Sequence, residues 1–302
     1  MRILITGGAG FIGSHLADKL LQLNHEVFVL DDLSSGDLNN LSSRCKFFEA
    51  EICDKNSISE IFEKIKPDVV YHLAAQINVR KSITDPVLDA EINTIGTLNI
   101  LNECVKHKVE KIIFSSSGGA IYRDDNDFLK TENSVIQPAS PYGISKWTGE
   151  QYIKFYKEIY GLDYTILRLS NVYGPRQNSK GEAGVISIFI NNIKDNKSLT
   201  VFGTGEQIRD YIYVEDVANA MELSLRVSGI FNVSTGKETT VNQLVNKICL
   251  EFNYDAVTYA PKIEGELFRN CLSSKLLQSC GWQAMHDIDS GLNKTIKYFK
   301  NN

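Results

Sequence analysis

The sequence predicts an α/β protein built on a doubly wound parallel sheet, with a smaller mixed α/β lobe towards the C-terminus. Over the first two thirds of the chain, short runs rich in β-branched residues alternate with longer amphipathic stretches, which is the pattern of βαβ units. The strand candidates are near-continuously hydrophobic, as expected of strands buried on both faces. After about residue 170, Gly and Asn become frequent and the alternation loses its regularity, which predicts the smaller lobe.

The predicted elements of the first part alternate along the chain. Parallel sheets of this kind bind ligands at the carboxyl ends of their strands, so residues that follow strands are the first candidates for function. The strands are predicted at 2–6, 26–31, 45–51, 68–74, 111–117 and 164–169, and the helices at 13–24, 57–66, 92–107 and 145–161.

Length, charge and cysteine usage argue against several classes of function. The 302 residues can bury a sizeable core. A net charge of −5 without a run of Lys or Arg argues against a nucleic-acid partner. The six cysteines form neither a C-x-x-C pair nor a ligand cluster, so we expect no metal site and a reducing compartment. Because the sequence contains no membrane-length apolar run and opens directly on a strand-like segment, we expect a cytoplasmic protein without a membrane partner.

The stretch ITGGAGFIGSHLADKLL lies between the first predicted strand and the first helix. Its glycines Gly7, Gly10 and Gly13 are spaced G-x-x-G-x-x-G. Glycine allows the tight turn and lets the backbone approach a pyrophosphate at the helix N-terminus. Asp31 and Asp32 follow 18 residues beyond Gly13, where a carboxylate accepts hydrogen bonds from a ribose diol and repels a 2′-phosphate. The motif predicts a Rossmann-like domain that binds NAD rather than NADP; a plain strand–turn–helix is the alternative.

A tyrosine and a lysine four residues apart occur in the stretch SPYGISK (140–146). On a helix, the phenol of Tyr142 and the ammonium of Lys146 lie on one face. The cation would lower the pKa of the phenol, as a tyrosine general base requires. The spacing alone is weak evidence, because roughly one such pair is expected by chance. The serine cluster 115–117 at the end of the fifth strand could equally satisfy backbone groups of a turn.

Together, the glycine loop, the acidic pair, the serine cluster and the Tyr-x-x-x-Lys pair resemble the extended short-chain dehydrogenase/reductase family. The blocks HLAAQINVRKSITDPVLDAEINTIGTLNIL, RLSNVYGPRQNSKGEAGVISIFI and VFGTGEQIRDYIYVEDVANA look like its UDP-glucose 4-epimerase branch, so the resemblance spans nearly the whole chain. It implies an NAD-dependent UDP-sugar 4-epimerase that oxidises C4 transiently and acts on UDP-glucose and UDP-galactose or on the N-acetylated pair. It also implies a homodimer through the helices 92–107 and 145–161.

The resemblance further implies the role of individual residues. Tyr142 would be the base, Lys146 would hold the nicotinamide ribose and lower the pKa of Tyr142, and Ser117 would hydrogen-bond the sugar 4-oxygen. The implied cofactor contacts besides Tyr142 and Lys146 are Gly7, Gly10, Phe11, Ile12, Asp31, Asp32, Glu51, Ile52, Leu73, Ala74, Ala75, Asn93 and Ser115. The implied substrate contacts are Ser117, Asn171 and Arg209 with Tyr211 towards the sugar and diphosphate, Val185 and Phe202 towards the uridine, and Arg269.

The smaller lobe is predicted to interrupt the cofactor domain, so that the chain crosses between them more than once. The predicted division is 1–168 with a return segment near 206–233 for the NAD-binding domain, and 169–205 with 234–302 for the nucleotide-sugar lobe.

Three departures from the family pattern concern the substrate. Ile263 stands where relatives often have an Arg that contacts the diphosphate, and Arg123 follows Tyr122 where they have Gly. The segment from Gly265 to Lys275 is also one residue short by comparison. The residue that gates the sugar 2-substituent is therefore one of three, namely Arg269, Asn270 and Cys271.

Alternative functions share part of this pattern. A sugar-nucleotide 4,6-dehydratase has an Asp-Glu pair directly after the strand-five Ser or Thr, whereas Ser117 is followed by two glycines, which argues against that lyase. A UDP-glucuronate 4-epimerase or decarboxylase stays open, because Arg269 or Arg123 could meet a sugar carboxylate. A non-catalytic NAD-binding regulatory protein would be expected to lack the three active-site side chains.

Overall fold

The computed structural model describes residues 1–123, 129–178, 184–262 and 267–301. The strands in these ranges are β1 (Arg2–Thr6), β2 (Glu26–Asp31), β3 (Lys46–Glu49), β4 (Val69–His72), β5 (Lys111–Ser117), β6 (Asp163–Leu169), β7 (Asn171–Tyr173), β8 (Leu199–Phe202), β9 (Ile208–Arg209), β10 (Tyr211–Tyr213), β11 (Gly229–Val233), β12 (Thr239–Thr240), β13 (Val257–Ala260) and β14 (Arg269–Asn270).

Seven of these strands form one parallel sheet in the order β11-β6-β5-β4-β1-β2-β3. The predicted doubly wound class is confirmed. The chain builds the sheet outward from β1 to β3 and then returns to add β4 on the other side of β1. The carboxyl ends of β1 and β4 therefore flank the topological switch point, where such sheets open a crevice for ligands.

Helices cover both faces of the large sheet, because successive residues of each strand point to opposite sides. Ile3 and Ile5 pack in one cluster with residues of α1 and α9, whereas Leu4 packs in another with residues of α2, α5 and α7. None of the helices within the described ranges is both long and apolar enough to cross a bilayer. The helices are α1 (Phe11–Gln22), α2 (Lys55–Ile65), α3 (Val79–Thr84), α4 (Pro86–Ala90), α5 (Thr97–Lys106), α6 (Gly118–Ile121), α7 (Pro141–Tyr160), α8 (Val185–Lys194), α9 (Val214–Leu223), α10 (Val241–Phe252), α11 (Lys275–Ser279) and α12 (Ile288–Asn301).

The smaller lobe is built from short strands around its own core. β7 pairs with β10, β8 pairs with β13, and β9 lies between β12 and β14. Side chains of α8, α10 and α12, including Phe189, Leu244 and Ile296, fill this core. Within the predicted return segment 206–233, β9 and β10 pair with strands of the smaller lobe, whereas α9 packs on α1 and β11 pairs with β6.

The predicted helix 145–161 begins earlier, at Pro141. Ser140 caps it, since its side-chain oxygen accepts from the backbone N–H of Gly143 at 3.2 Å, and Pro141 occupies a first-turn position that favours proline. The earlier start places Tyr142 in the first turn, one turn before Lys146. The i, i+4 geometry assumed for this pair is therefore present.

The predicted helix 92–107 is present, but its first part is a π-helix (Glu91–Gly96) that leads into α5. Side chains pack and bond closely around this segment. The side chain of Ile52 occupies the space where a Cβ atom on Gly96 would lie, at 2.6 Å. Thr97 Oγ1 donates to the carbonyl oxygen of Asn93 at 2.7 Å. Such π-turns are frequent at functional sites, and this one carries Asn93.

Candidate active site

The glycine loop between β1 and α1 is packed too closely for side chains. Gly7 adopts φ +70°, and a Cβ atom on it would lie 2.6 Å from the backbone nitrogen of Ala74. A Cβ atom on Gly13 would lie 2.3 Å from the carbonyl oxygen of Gly7. Phe11 and Ile12 begin α1 beside this loop. The loop and the helix N-terminus thus form a backbone cradle that fits a pyrophosphate.

Asp31 and Asp32 lie at the carboxyl end of β2, next to the loop. Asp31 is buried, and its two carboxylate oxygens accept from the backbone N–H groups of Ala9 and Leu33, each at 2.9 Å. Burial raises the pKa of Asp31, and these hydrogen bonds oppose the rise. Asp32 is exposed and accepts from the backbone N–H of Ser34 at 3.0 Å. Each carboxylate oxygen can accept more than one hydrogen bond, so either residue can still receive a ribose hydroxyl group.

Two more groups of predicted cofactor residues follow β3 and β4, at the same carboxyl edge of the sheet. Glu51 and Ile52 come after β3, with Glu51 exposed and Ile52 buried. Leu73, Ala74 and Ala75 come after β4, and the first two donate their backbone N–H groups to the last carbonyl group of β1, at 3.1 and 3.0 Å. All of these positions surround the crevice at the switch point.

His72 ends β4 beneath this crevice and was not singled out from the sequence. Its Nδ1 lies 2.7 Å from Thr6 Oγ1 and its Nε2 lies 3.0 Å from Thr97 Oγ1. Thr97 Oγ1 donates to Asn93 O, so it accepts from His72 Nε2–H, and Thr6 Oγ1 then donates to Nδ1. Burial lowers the pKa of His72 to about 3. A neutral imidazole therefore links β1, the strand before the glycine loop, to the first residue of α5.

Asn93 lies at the centre of a second buried network. Its Oδ1 accepts from the backbone N–H of Gln76 at 2.8 Å, and its Nδ2 donates to Gln76 O, to Asp89 Oδ1 and to Ser145 Oγ at 2.9, 3.0 and 3.3 Å. Gln76 Nε2 also donates to Asp89 Oδ1 at 2.8 Å. The network joins the segment after β4, the π-helix and α7 at the place where Lys146 follows Ser145.

Lys146 lies on α7 and faces the carboxyl end of β5. Its Nζ donates to the carbonyl oxygen of Ser115 at 3.0 Å and lies 4.9 Å from the centre of the Phe114 ring. The residue is 4% exposed, and burial lowers the pKa of its ammonium to about 8. Tyr142 lies one turn earlier and donates its backbone N–H to Ser82 Oγ at 3.2 Å.

A buried ion pair supports the strand end that carries Ser117. Arg168 Nη2 lies 2.6 Å from Glu150 Oε2, and Glu150 Oε1 accepts from Ser116 Oγ at 2.6 Å. Because both charged side chains are fully buried, breaking the pair by removing one partner would cost several kcal/mol. The pair ties α7, β5 and β6 together directly beside Ser117.

A cavity of about 300 Å³ opens between the large sheet and the smaller lobe. It brings together five of the predicted residues, namely Ser117, Tyr142, Asn171, Val185 and Tyr211. Sequence reasoning missed Ser170 and Gln177, which also line it. Both lie on the segment that follows β6, so their position after a strand end was the available signal. The further lining residues are Ile77, Val79, Gly119, Ala120, Val172, Tyr173, Gly184 and Ile186.

The other predicted substrate residues lie on short strands of the smaller lobe, outside the lining of this cavity. Phe202 ends β8 and is exposed. Arg209 is half-buried, and its Nη1 donates to Ile208 O at 2.8 Å. Arg269 Nε donates to Glu238 Oε1 at 2.7 Å, and its Nη2 also pairs with this carboxylate.

The three candidate gate residues occupy different surroundings. Asn270 is buried, and its Nδ2 donates to the carbonyl oxygen of Gly118, the residue after Ser117, at 3.5 Å. A Cβ atom on Gly119 would lie 3.4 Å from this Nδ2 and 3.7 Å from Ser117 Oγ. Cys271 is buried with its Sγ 3.5 Å from Asp210 Oδ2. Asn270 therefore contacts the turn that follows Ser117. Of the departures, Arg123 is exposed, and Ile263 lies outside the described residues.

Comparisons with known proteins agree with this arrangement. The model of the NAD dependent epimerase/dehydratase family matches residues 3–234. A Methanocaldococcus jannaschii protein, provisionally named a UDP-glucose 4-epimerase, is 48% identical over 99% of this chain and 99% of its own length. A structure of a Thermotoga maritima UDP-glucose 4-epimerase with UDP-glucose superposes with a TM-score of 0.98 at 42% identity, over 100% of this chain and 99% of that one. A structure of a Thermus thermophilus UDP-glucose 4-epimerase in complex with NAD superposes with a TM-score of 0.96 at 39% identity, over 99% of both chains.

Proposed function

The chain belongs to the NAD-dependent epimerase/dehydratase family, and we propose that it is a UDP-sugar 4-epimerase. The observation that carries the proposal is the cavity, whose lining includes Ser117 and Tyr142 together with Asn171 and Tyr211. The first two lie at the carboxyl edge of the cofactor sheet, and the last two belong to the strand pair β7–β10. A nucleotide sugar that spans the cavity would present its sugar to the sheet and its diphosphate to the smaller lobe.

The reaction inverts C4, a carbon without an acidic proton. Bound NAD supplies a reversible hydride acceptor for C4. Tyr142 would take the O4 proton as the C4 hydride leaves. After the 4-keto sugar has turned, Tyr142 would give the proton back to O4 as the hydride returns to the other face of C4, so one residue is base and then acid. Ser117 hydrogen-bonds the same oxygen. At neutral pH the Lys146 ammonium, with its pKa of about 8, is largely protonated and favours the phenolate of Tyr142.

The nucleotide half must stay bound while the sugar turns over. We assign this anchoring to Asn171 and Arg209 at the diphosphate and to Val185 and Phe202 at the uridine. Phe202 exposes its ring, and stacking of a base on an aromatic face is worth about 1–3 kcal/mol. The sugar end is lined by small side chains, including Ala120, which suits a group that has to rotate.

We expect an uncharged sugar rather than a uronate as the substrate. The guanidinium of Arg269 is engaged by Glu238, so it is not a bare cation for a sugar carboxylate. Asn270 is the gate residue beside Ser117, and its amide can hydrogen-bond sugar hydroxyl groups without demanding a negative charge. We therefore place UDP-glucose and UDP-galactose first, and the N-acetylated pair second.

The test is an assay of purified protein with UDP-glucose, UDP-N-acetylglucosamine and UDP-glucuronate, with products separated by chromatography. Conversion of UDP-glucose to its 4-epimer, lost in Tyr142→Phe, is the expected result. Conversion of UDP-glucuronate alone would overturn the choice of sugar. Failure with all three, while NAD is retained, would overturn the epimerase assignment.

We also propose a homodimer that works in the cytoplasm. Ile144, Tyr152, Phe155 and Ile159 lie on one face of α7 at i, i+8, i+11 and i+15, and each is exposed in the described part of the chain. A continuous apolar stripe of this size marks an interaction surface. The six cysteines are free thiols, which fits a reducing compartment. Phe155→Glu is expected to convert a dimer to a monomer in light scattering, whereas an unchanged mass would reject this interface.

A further inference from the structure

Asp89 is a buried carboxylate that the mechanism above does not use. The residue is 1% exposed and lies on α4. Its Oδ1 accepts from Gln76 Nε2 and Asn93 Nδ2. Its Oδ2 has no hydrogen-bond partner among the residues that the structure describes. A buried carboxylate costs several kcal/mol unless a positive charge lies near enough to compensate it.

The compensating charge is the ammonium of Lys146, which has the complementary problem. Its Nζ is bound to the carbonyl oxygen of Ser115 and lies over the Phe114 ring, and neither carries a full negative charge. Burial disfavours the ammonium, and the charge of Asp89 acts in the opposite direction by raising the pKa of Lys146.

A short chain of hydrogen bonds connects Asp89 to the residue before Lys146. Asn93 Nδ2 donates both to Asp89 Oδ1 and to Ser145 Oγ, and Ser145 directly precedes Lys146. Asp89 is therefore fixed relative to the turn of α7 that carries the lysine.

The other titratable groups near this ammonium do not offer an equivalent negative charge. His72 on β4 is neutral, with its pKa lowered to about 3 by burial. Glu150 on α7 is paired with Arg168 on β6, and Tyr142 is the base itself. The remaining charged side chains on elements packed against α7 are exposed, half-buried or at the far end of the sheet: Arg80, Lys81, Asp85, Glu91, Glu103, Lys106, Lys111 and Asp163.

We propose that Asp89 is a positioning residue for the reaction, the buried counter-ion that keeps Lys146 charged beside Tyr142. The inference rests on the proposed function for its kinetic part only. The alternative is a purely structural role, in which Asp89 only accepts hydrogen bonds from Gln76 and Asn93. The two roles differ in whether the negative charge matters or only the acceptor oxygen.

The first experiment is the pH profile of kcat for Asp89→Asn, which removes the charge and keeps one acceptor oxygen. Without Asp89 the pKa of Lys146 falls further, so the alkaline limb of the profile moves to lower pH. Each unit of movement costs about tenfold in kcat at pH values above both midpoints. Asp85→Asn is the matched control, because Asp85 caps the same helix from an exposed position. It is expected to leave the profile unchanged. A uniform loss of kcat in Asp89→Asn, with the limb unmoved, would overturn the proposal.

The second experiment needs neither substrate nor turnover, so it separates this proposal from the epimerase assignment. Urea unfolding midpoints are compared for the parent, Asp89→Asn, Lys146→Met and the double variant. If Asp89 is the counter-ion, Asp89→Asn should lower the urea midpoint in the parent protein. In the Lys146→Met background the same change should lower the midpoint less or raise it. Equal shifts in both backgrounds would reject the counter-ion role. If Asp89→Asn fails to fold, recovery in the double variant supports the proposal and failure in both contradicts it.

Discussion

The cofactor side and the substrate side of the cavity are built in different ways. On the cofactor side, hydrogen bonds inside the protein hold the polar groups of Asp31 and His72, which end strands of the parallel sheet, and of Asn93 on the π-helix. On the substrate side, Arg209 and Arg269 lie on two-residue strands, and Phe202 exposes its ring. The cofactor side is therefore held by internal hydrogen bonds of the large sheet, whereas the substrate side lies on short strands of the smaller lobe.

This difference matches what each wall has to hold. A dinucleotide that is regenerated in every cycle can remain bound, and a rigid site loses little entropy on binding it. A sugar that must turn over between two hydride transfers requires few contacts at its own end. The contrast predicts that substitutions on the two sides affect different observables.

The largest effect on kcat is expected at Tyr142, which lies between the cofactor side and the substrate side of the cavity. Tyr142→Phe removes the proton acceptor without changing packing, and kcat should fall by about 10²–10⁴-fold. Bound NAD, measured after denaturing the purified protein, should stay at the parent level. A variant that retained more than a tenth of the parent kcat would show that another group accepts the O4 proton.

On the cofactor side, adding a single methyl group to the glycine loop should disrupt NAD binding. In Gly13→Ala the new Cβ atom would lie 2.3 Å from Gly7 O, and relieving such overpacking costs about 1–3 kcal/mol. The loop should move and NAD should be lost during purification. Gly161→Ala is the spatial control, because nothing lies within 4 Å of its Cβ position, although its φ of +75° adds local strain. Full NAD content in Gly13→Ala would contradict a closely packed cradle.

The substrate wall should respond in KM. Phe202→Ala removes a stacking surface worth about 1–3 kcal/mol, so KM for the UDP-sugar should rise roughly tenfold while NAD content and kcat change little. Tyr259→Ala, another exposed aromatic on the paired strand β13, serves as the control and should leave KM unchanged. A fall in kcat with constant KM would show that Phe202 acts in the chemical step and not in binding the nucleotide.

The last prediction concerns stability in acid, where activity is not measured at all. His72 has its pKa lowered from 6.5 to about 3, so between these values the unfolded chain binds a proton that the folded protein does not. Stability should therefore fall as pH drops below about 6.5, by at most about 1.4 kcal/mol per pH unit from this group. Urea unfolding at several pH values measures the slope. His72→Asn, which cannot titrate, should show a shallower decline, and an equal slope would exclude His72 as its source.

The sequence was most informative where function follows from local pattern. The glycine loop, the acidic end of β2 and the Tyr142–Lys146 spacing depend on neighbours within one element, and the structure has them at one edge of the sheet. Asp89, Gln76 and His72 were missed because a buried network depends on which elements pack together. Arg269, Asn270 and Cys271 could not be told apart as gate residues from the sequence. The position of Asn270 depends on how β14 pairs with β9, and a strand of two residues shows no such register in its sequence.

The position of β11 limits how the chain can be divided. This strand comes from residues after the smaller lobe has begun, yet it pairs with β6 in the large sheet. A fragment that stopped after β6 would leave that strand as an open edge, prone to pair with other chains. Exchanging the sugar preference with a relative by grafting would therefore need two separate splices, one on each side of the segment from α9 to β11, with the host sheet kept whole.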